Sequence, residues 1–196
     1  QEAQIRLMEK LQNHSGKNSM LVLRPADAQE ATVAWKMAME NTSTPTGLIF
    51  SRQDIKELPS KESRYQEALQ ADKGAYIVQE DADYDVILLA SGSEVATLVD
   101  GAELLKADGI KTRIVSVPSE GLFRAQSKEY QESVLPSGKK KFGMTAGLSV
   151  TLEGLVGADG AVWCMNSFGF SAPYKVLDEK LGFTGENVYK QVKNIL

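Results

Sequence analysis

Residues 84–119 read YDVILLASGSEVATLVDGAELLKADGIKTRIVSVPS, and this stretch decides the fold class. Val86-Ile87-Leu88-Leu89 is an apolar run of strand length, bounded by Asp85 and by Ser91-Gly92-Ser93. An unbroken apolar run, unlike an alternating one, suits a strand covered on both faces. Ser93 stands where an N-cap hydroxyl would accept an orphan backbone N–H of the next helix. In that helix Val95, Leu98, Val99, Ala102 and Leu105 recur at spacings of three and four, which makes one apolar stripe. Gly109 falls where a left-handed residue closes a helix, and Ile110 to Val117 returns as a strand stopped by Pro118. Strand, helix and strand of this length predict a parallel pair joined by a right-handed crossover. The fold class is α/β.

Working outward, residues 19–53 repeat the pattern. Met20 to Leu23 is a short apolar strand ending at Arg24-Pro25, and Asp27 is placed to cap the helix that follows. Ala31, Ala34, Trp35, Ala38 and Met39 share a helical face, and Leu48-Ile49-Phe50 is the next strand, ending in Ser51-Arg52-Gln53. Before this unit, Ile5, Leu7, Met8 and Leu11 are the apolar positions of an amphipathic helix. The sequence starts at Gln1 inside that helix, so it reads as a piece of something longer. Residues 54–73 are polar and contain Pro59, which suggests a linker or wandering surface segment. Gly74 to Glu80 is expected as a strand, antiparallel or at an edge.

Beyond the central unit, Glu120 to Tyr130 reads as short helical turns with Leu122 and Phe123 inward. Phe142-Gly143-Met144 is a further strand, Val150 to Val156 a helix, Pro173 to Leu181 a helix ended by Gly182, and Gly185 to Leu196 a terminal helix.

Composition narrows the function. The chain is 42% hydrophobic and 24% charged, enough to build a core. A net charge of −4 offers no basic footprint for nucleic acid, and Lys139-Lys140-Lys141 reads as a solvated loop. No stretch approaches the ~20 apolar residues of a membrane helix, and no secretory leader is visible. The single cysteine, Cys164, leaves no disulfide framework and fits a reducing cytoplasm. The single histidine, His14, lies in a polar turn without partners, so neither a zinc site nor a Cys/His pair is expected.

Three groupings remain. Ser91-Gly92-Ser93-Glu94 lies at a strand-to-helix turn whose N–H groups could hold an anion, though turn chemistry alone accounts for each residue type. Glu94 and Asp100, six apart, fall on different helix faces and are not read as an acid–base pair. Arg24 and Asp27 are expected to pair and fix their turn. Arg52, at the carboxyl end of a strand beside Ser51 and Gln53, is a forked donor suited to phosphate or carboxylate, or to a surface salt bridge.

The motifs Arg24-Pro25-Ala26-Asp27 and Ser51-Arg52-Gln53 resemble the end of the pyrimidine-binding domain of transketolases. Gly74 to Val78, Asp85 to Val95 with its ASGSEV, Arg113 to Ser119, Phe168-Gly169 and Leu181 to Thr184 resemble the transketolase C-terminal domain. The likeness covers essentially the whole chain, with one departure at Met144-Thr145-Ala146-Gly147, where many relatives carry an acidic residue before the AG pair. It implies a three-layer, mostly parallel sheet with helices on both faces, preceded by part of a second α/β domain. The implied division is 1–58 for the pyrimidine-binding part, 59–73 for a linker and 74–196 for the C-terminal domain. It also implies a parent enzyme that uses thiamine diphosphate and Mg (or Ca) to move a two-carbon ketol unit between sugar phosphates, as a cytoplasmic homodimer. Arg52 is then a phosphate-binding residue. The catalytic side chains and the cofactor and metal site would lie outside this chain, which alone should be inactive and bind no cofactor. The alternatives are a non-catalytic binding or assembly module, with Gly92 and Ser93 as an anion-binding turn, or a piece of a related thiamine enzyme such as a deoxyxylulose phosphate synthase or a ketoacid dehydrogenase subunit.

Overall fold

The computed structural model describes residues 1–196 and contains two sheets. The smaller pairs β1 (Leu21–Leu23) with β2 (Thr46–Leu48) in parallel, joined through α2 (Ala28–Glu40). The larger has five strands in the order β3-β5-β4-β6-β7. These are β3 (Tyr76–Glu80), β4 (Val86–Ala90), β5 (Thr112–Ser116), β6 (Lys140–Thr145) and β7 (Ala161–Cys164). Every neighbouring pair is parallel except β3 and β5, so β3 is an antiparallel edge strand.

The central stretch folds as its pattern dictates. All five residues of β4 are buried, because helices cover both faces. On one face α4 (Glu94–Ala107) packs with α9 (Gly185–Ile195), setting Val95, Leu98, Ala102 and Leu105 against Val86, Leu88 and Ala90. On the other, α5 (Glu120–Arg124), α6 (Lys128–Val134) and α7 (Glu153–Val156) cover Ile87 and Leu89 with Phe123, Val134 and Leu155. Gly109 has φ of 78° and closes α4 as expected. Gly182, at φ 76°, closes α8 (Tyr174–Leu181).

Several local expectations are corrected. The strand expected at Leu48-Ile49-Phe50 lies two residues earlier, at Thr46–Leu48; Ile49 still donates its N–H to the Leu23 carbonyl at 2.9 Å, and Phe50 leaves the sheet to stack on Trp35. The polar stretch 54–73 does not wander over the surface. It contains α3 (Arg64–Ala68) and a 3₁₀ turn, Leu69–Lys73, and buries Leu58, Ala68 and Ala71. Its anchor is a buried arginine, which polarity alone cannot reveal. The helix expected over 150–156 is broken into a 3₁₀ turn, Ser149–Thr151, and the short α7.

The first helix, α1 (Glu2–Met8), lies with its charged side inward. Arg6 and Glu9 are buried, whereas Leu7 and Leu11 are each 53% exposed. Glu9 accepts from the Ser119 hydroxyl at 2.7 Å, from Val22 N–H at 3.2 Å and from Gly121 N–H at 3.3 Å. Three donors at one carboxylate outweigh the burial of a few apolar residues, and they set the helix's rotation.

Candidate functional site at the strand ends

Ligands of open α/β sheets gather beyond the carboxyl ends of parallel strands, and here the ends of both sheets meet. Arg24 follows β1, the Arg52 loop follows β2, Ser91-Gly92-Ser93 follows β4 and Ala146 follows β6. A cavity of about 800 Å³ opens beside them. Gln53 to Lys56 form one wall, Glu94 to Asp100 of α4 a second, and Phe170 to Glu186 a third.

Arg52 itself is exposed and makes no hydrogen bond or ion pair to the protein. Its loop is nevertheless held at both ends: Ile49 bonds Leu23, and Leu58 N–H donates to Asp27 at 3.1 Å. Between them Lys56 reaches Asp100 on α4 at 2.7 Å.

Arg24 does not pair with Asp27 as its sequence position suggests. The two side chains diverge. Asp27 caps α2 by accepting from Glu30 N–H at 2.8 Å and pairs with Arg64 at 2.6 Å. Arg24 turns the other way, into the crevice between β4 and β6. There it meets Glu94 at 2.8 Å and donates to the Ser91 carbonyl at 2.6 Å. Glu94 also accepts from Ala146 N–H at 2.6 Å. Burial disfavours the charge of Arg24, but Glu94 and Glu2 more than reverse this and hold it protonated.

Ser93 does not cap α4. Its own backbone is already helical, and its hydroxyl lies 3.2 Å from the Glu94 carboxylate. Gly92, at φ 65°, gives its N–H to the Arg24 carbonyl at 3.1 Å. The turn is therefore satisfied from within the chain. Glu94 and Asp100 both border the cavity, yet one is buried against Arg24 and the other exposed against Lys56.

Behind this junction lies a second network. Arg64 donates to Asp27, to Glu30 at 3.2 Å and to the Tyr76 hydroxyl at 2.5 Å, and that hydroxyl donates to Glu30 at 2.6 Å. Burial raises the Glu30 carboxyl, and burial with the neighbouring Glu30 charge raises the Tyr76 phenol. The sequence marks Glu94 only as part of its turn and beside Asp100, and it does not mark Arg64, which lies in the polar stretch 54–73.

No cluster of three or more His, Cys, Asp or Glu converges to hold a metal ion. No helix is long and apolar enough to cross a membrane.

Comparison with known proteins places the arrangement. The family model described as Transketolase-like TK C-terminal domain matches residues 74–184. Transketolase from Staphylococcus epidermidis is 41% identical over 179 residues, covering 90% of this chain and 27% of that protein. Transketolase from Geobacillus stearothermophilus is 38% identical over 181 residues, covering 91% and 27%. Among solved structures, transketolase from Leishmania mexicana superposes with a TM-score of 0.83 at 33% identity, over 99% of this chain and 26% of that one. A split-gene transketolase, described as an inactive β4 tetramer, matches with a TM-score of 0.72 at 21% identity, over 98% of this chain and 61% of that one, and shares the fold. The chain spans about a quarter of the length of the curated relatives it matches. It is homologous to the C-terminal portion of transketolases, and it belongs to the transketolase C-terminal domain family.

Proposed function

We propose that this chain forms the C-terminal quarter of a transketolase-type enzyme, which transfers a two-carbon ketol unit between sugar phosphates. In that enzyme thiamine diphosphate, with Mg or Ca, supplies the carbanion chemistry. Residues 1–58 complete a pyrimidine-binding domain, 59–73 connect, and 74–196 form the C-terminal domain. The assembly is a cytoplasmic homodimer, and the cofactor and metal are held by parts of the enzyme outside this chain.

Within it Arg52 binds the phosphate of the sugar. The observation that carries this reading is an exposed guanidinium without a protein partner, on a loop anchored at both ends beyond a parallel strand. A planar fork of donors matches phosphate geometry, and charge-assisted hydrogen bonds of this kind contribute about 1.5–3 kcal/mol. Arg52→Ala in the whole enzyme should raise KM for phosphorylated sugars roughly ten- to a hundredfold and spare unphosphorylated ones. Equal effects on both substrate types would reject the role. Calorimetry of this chain with thiamine diphosphate and magnesium should give no binding; clear binding would move the cofactor site into it.

The reading of Gly92 and Ser93 as an anion-binding turn in a non-catalytic module has less support. The Gly92 N–H and the Ser93 hydroxyl are engaged by Arg24 and Glu94, and a carboxylate already occupies the neighbourhood.

A further inference from the structure

The strand order β5-β4-β6 makes the crevice between β4 and β6 a topological switch point: the chain leaves β4 for one face and β6 for the other. In this architecture such a crevice is where a small ligand is usually taken. Here it is filled by Arg24, from the other sheet's unit. Its backbone N–H donates to the Pro118 carbonyl at 2.9 Å, and its carbonyl accepts from Gly92. Its guanidinium meets Ser91 and Glu94, and through Glu94 the Ala146 N–H. One residue thus touches the ends of β4 and β5 and, through Glu94, reaches that of β6. Arg24 is 11% and Glu94 4% exposed, so water screens the pair little. A Cβ on Gly92 would stand 2.7 Å from the guanidinium carbon, so the turn is shaped around the arginine.

We infer that the switch-point crevice is an intramolecular socket for Arg24, and that this seat positions the Arg52 loop. The inference rests on the phosphate-binding reading of Arg52. Both anchors of the loop, the Leu23 carbonyl and the Asp27 carboxylate, flank Arg24 within four residues of chain, so a shift of Arg24 moves both. The Lys56–Asp100 pair adds little by itself, because its partners are 70% and 52% exposed. Glu94 is therefore a positioning residue, acting through Arg24 on a loop it does not touch.

Two measurements test this. Glu94→Gln keeps shape and an acceptor for Ala146 but removes the charge. In this chain it should speed amide exchange at Ile49 and Leu58, the two loop N–H groups that have acceptors, by roughly tenfold and leave β4 and β5 protected. In the whole enzyme Glu94→Gln and Arg24→Ala should raise KM for phosphorylated sugars, leave KM for unphosphorylated ones unchanged, and alter kcat little. Arg24→Lys should recover part of the loss. Unchanged exchange in the loop would overturn the socket's positioning role. So would a substrate-selective Arg52→Ala variant beside unselective Glu94→Gln and Arg24→Ala variants. If Arg52→Ala itself shows no selectivity, the phosphate reading fails and this inference falls with it.

Discussion

At the scale of single residues, the chain buries several charges together. Arg64 joins Asp27, Glu30 and Tyr76 in a space closed to water. Arg64→Met would leave two buried carboxylates without their cation, and should cost about 3–5 kcal/mol in urea unfolding. A cost below about 1 kcal/mol would show that water reaches the site. Glu9 gives a test in pH. Burial raises its carboxyl above the ordinary 4.5, although Ser119, Arg6 and backbone N–H groups pull the other way. The native state therefore binds this proton more tightly than the unfolded chain does. Its contribution is most favourable below 4.5 and is lost as pH rises through the folded-state value. Unfolding of wild type and Glu9→Gln at pH 4 and pH 7 should show wild type losing ground as pH rises; a gain would reverse the assignment. Asp27 was legible as a cap because cap and helix are neighbours in sequence. Its partner Arg64 and the partner of Arg24 were not, since they stand 37 and 70 positions away.

Elements reveal where hydropathy periodicity holds and where it fails. In α4 the stripe lies on the buried face, because beyond the Glu94–Arg24 pair at its start that face meets apolar neighbours. Gly101 lies on this face against α9, where a Cβ would come 2.5 Å from a methyl of Val188. Gly101→Ala should destabilise by about 1–3 kcal/mol through overpacking, read as a lower denaturation midpoint. No change would mean that α9 can slide. In α1 the same periodicity picked the wrong side, because polar anchors at Glu9 and Arg6 outvoted Leu7 and Leu11. Replacing Leu7 and Leu11 by serine should shift stability in this chain by less than about 0.5 kcal/mol per site. A larger loss would show that the outward face is covered. The Arg52 loop was legible from its motif and its place after a strand, whereas the seat beneath it needed the packing of two sheets.

Across the whole molecule, the two sheets share one core. Val33 of α2 and Leu58 belong to the same buried cluster as Leu98 and Phe142, so the small sheet has no separate interior. The chain should then unfold in one step. Trp35 reports on the small sheet's helix and Trp163 on β7, where its ring N–H donates to the Leu181 carbonyl. Single-tryptophan variants, Trp163→Phe and Trp35→Phe, should give coincident midpoints; separated ones would show independent units. The inward charge of α1 bears on how the chain is made. Glu9 leaves the ribosome well before two of the groups that hold it, because the Ser119 hydroxyl and Gly121 N–H lie 110 and 112 residues later. At about 5–20 residues per second that gap lasts roughly 5–20 s. Throughout it the helix is translated yet lacks these two partners, so α1 cannot settle until that later stretch has been made.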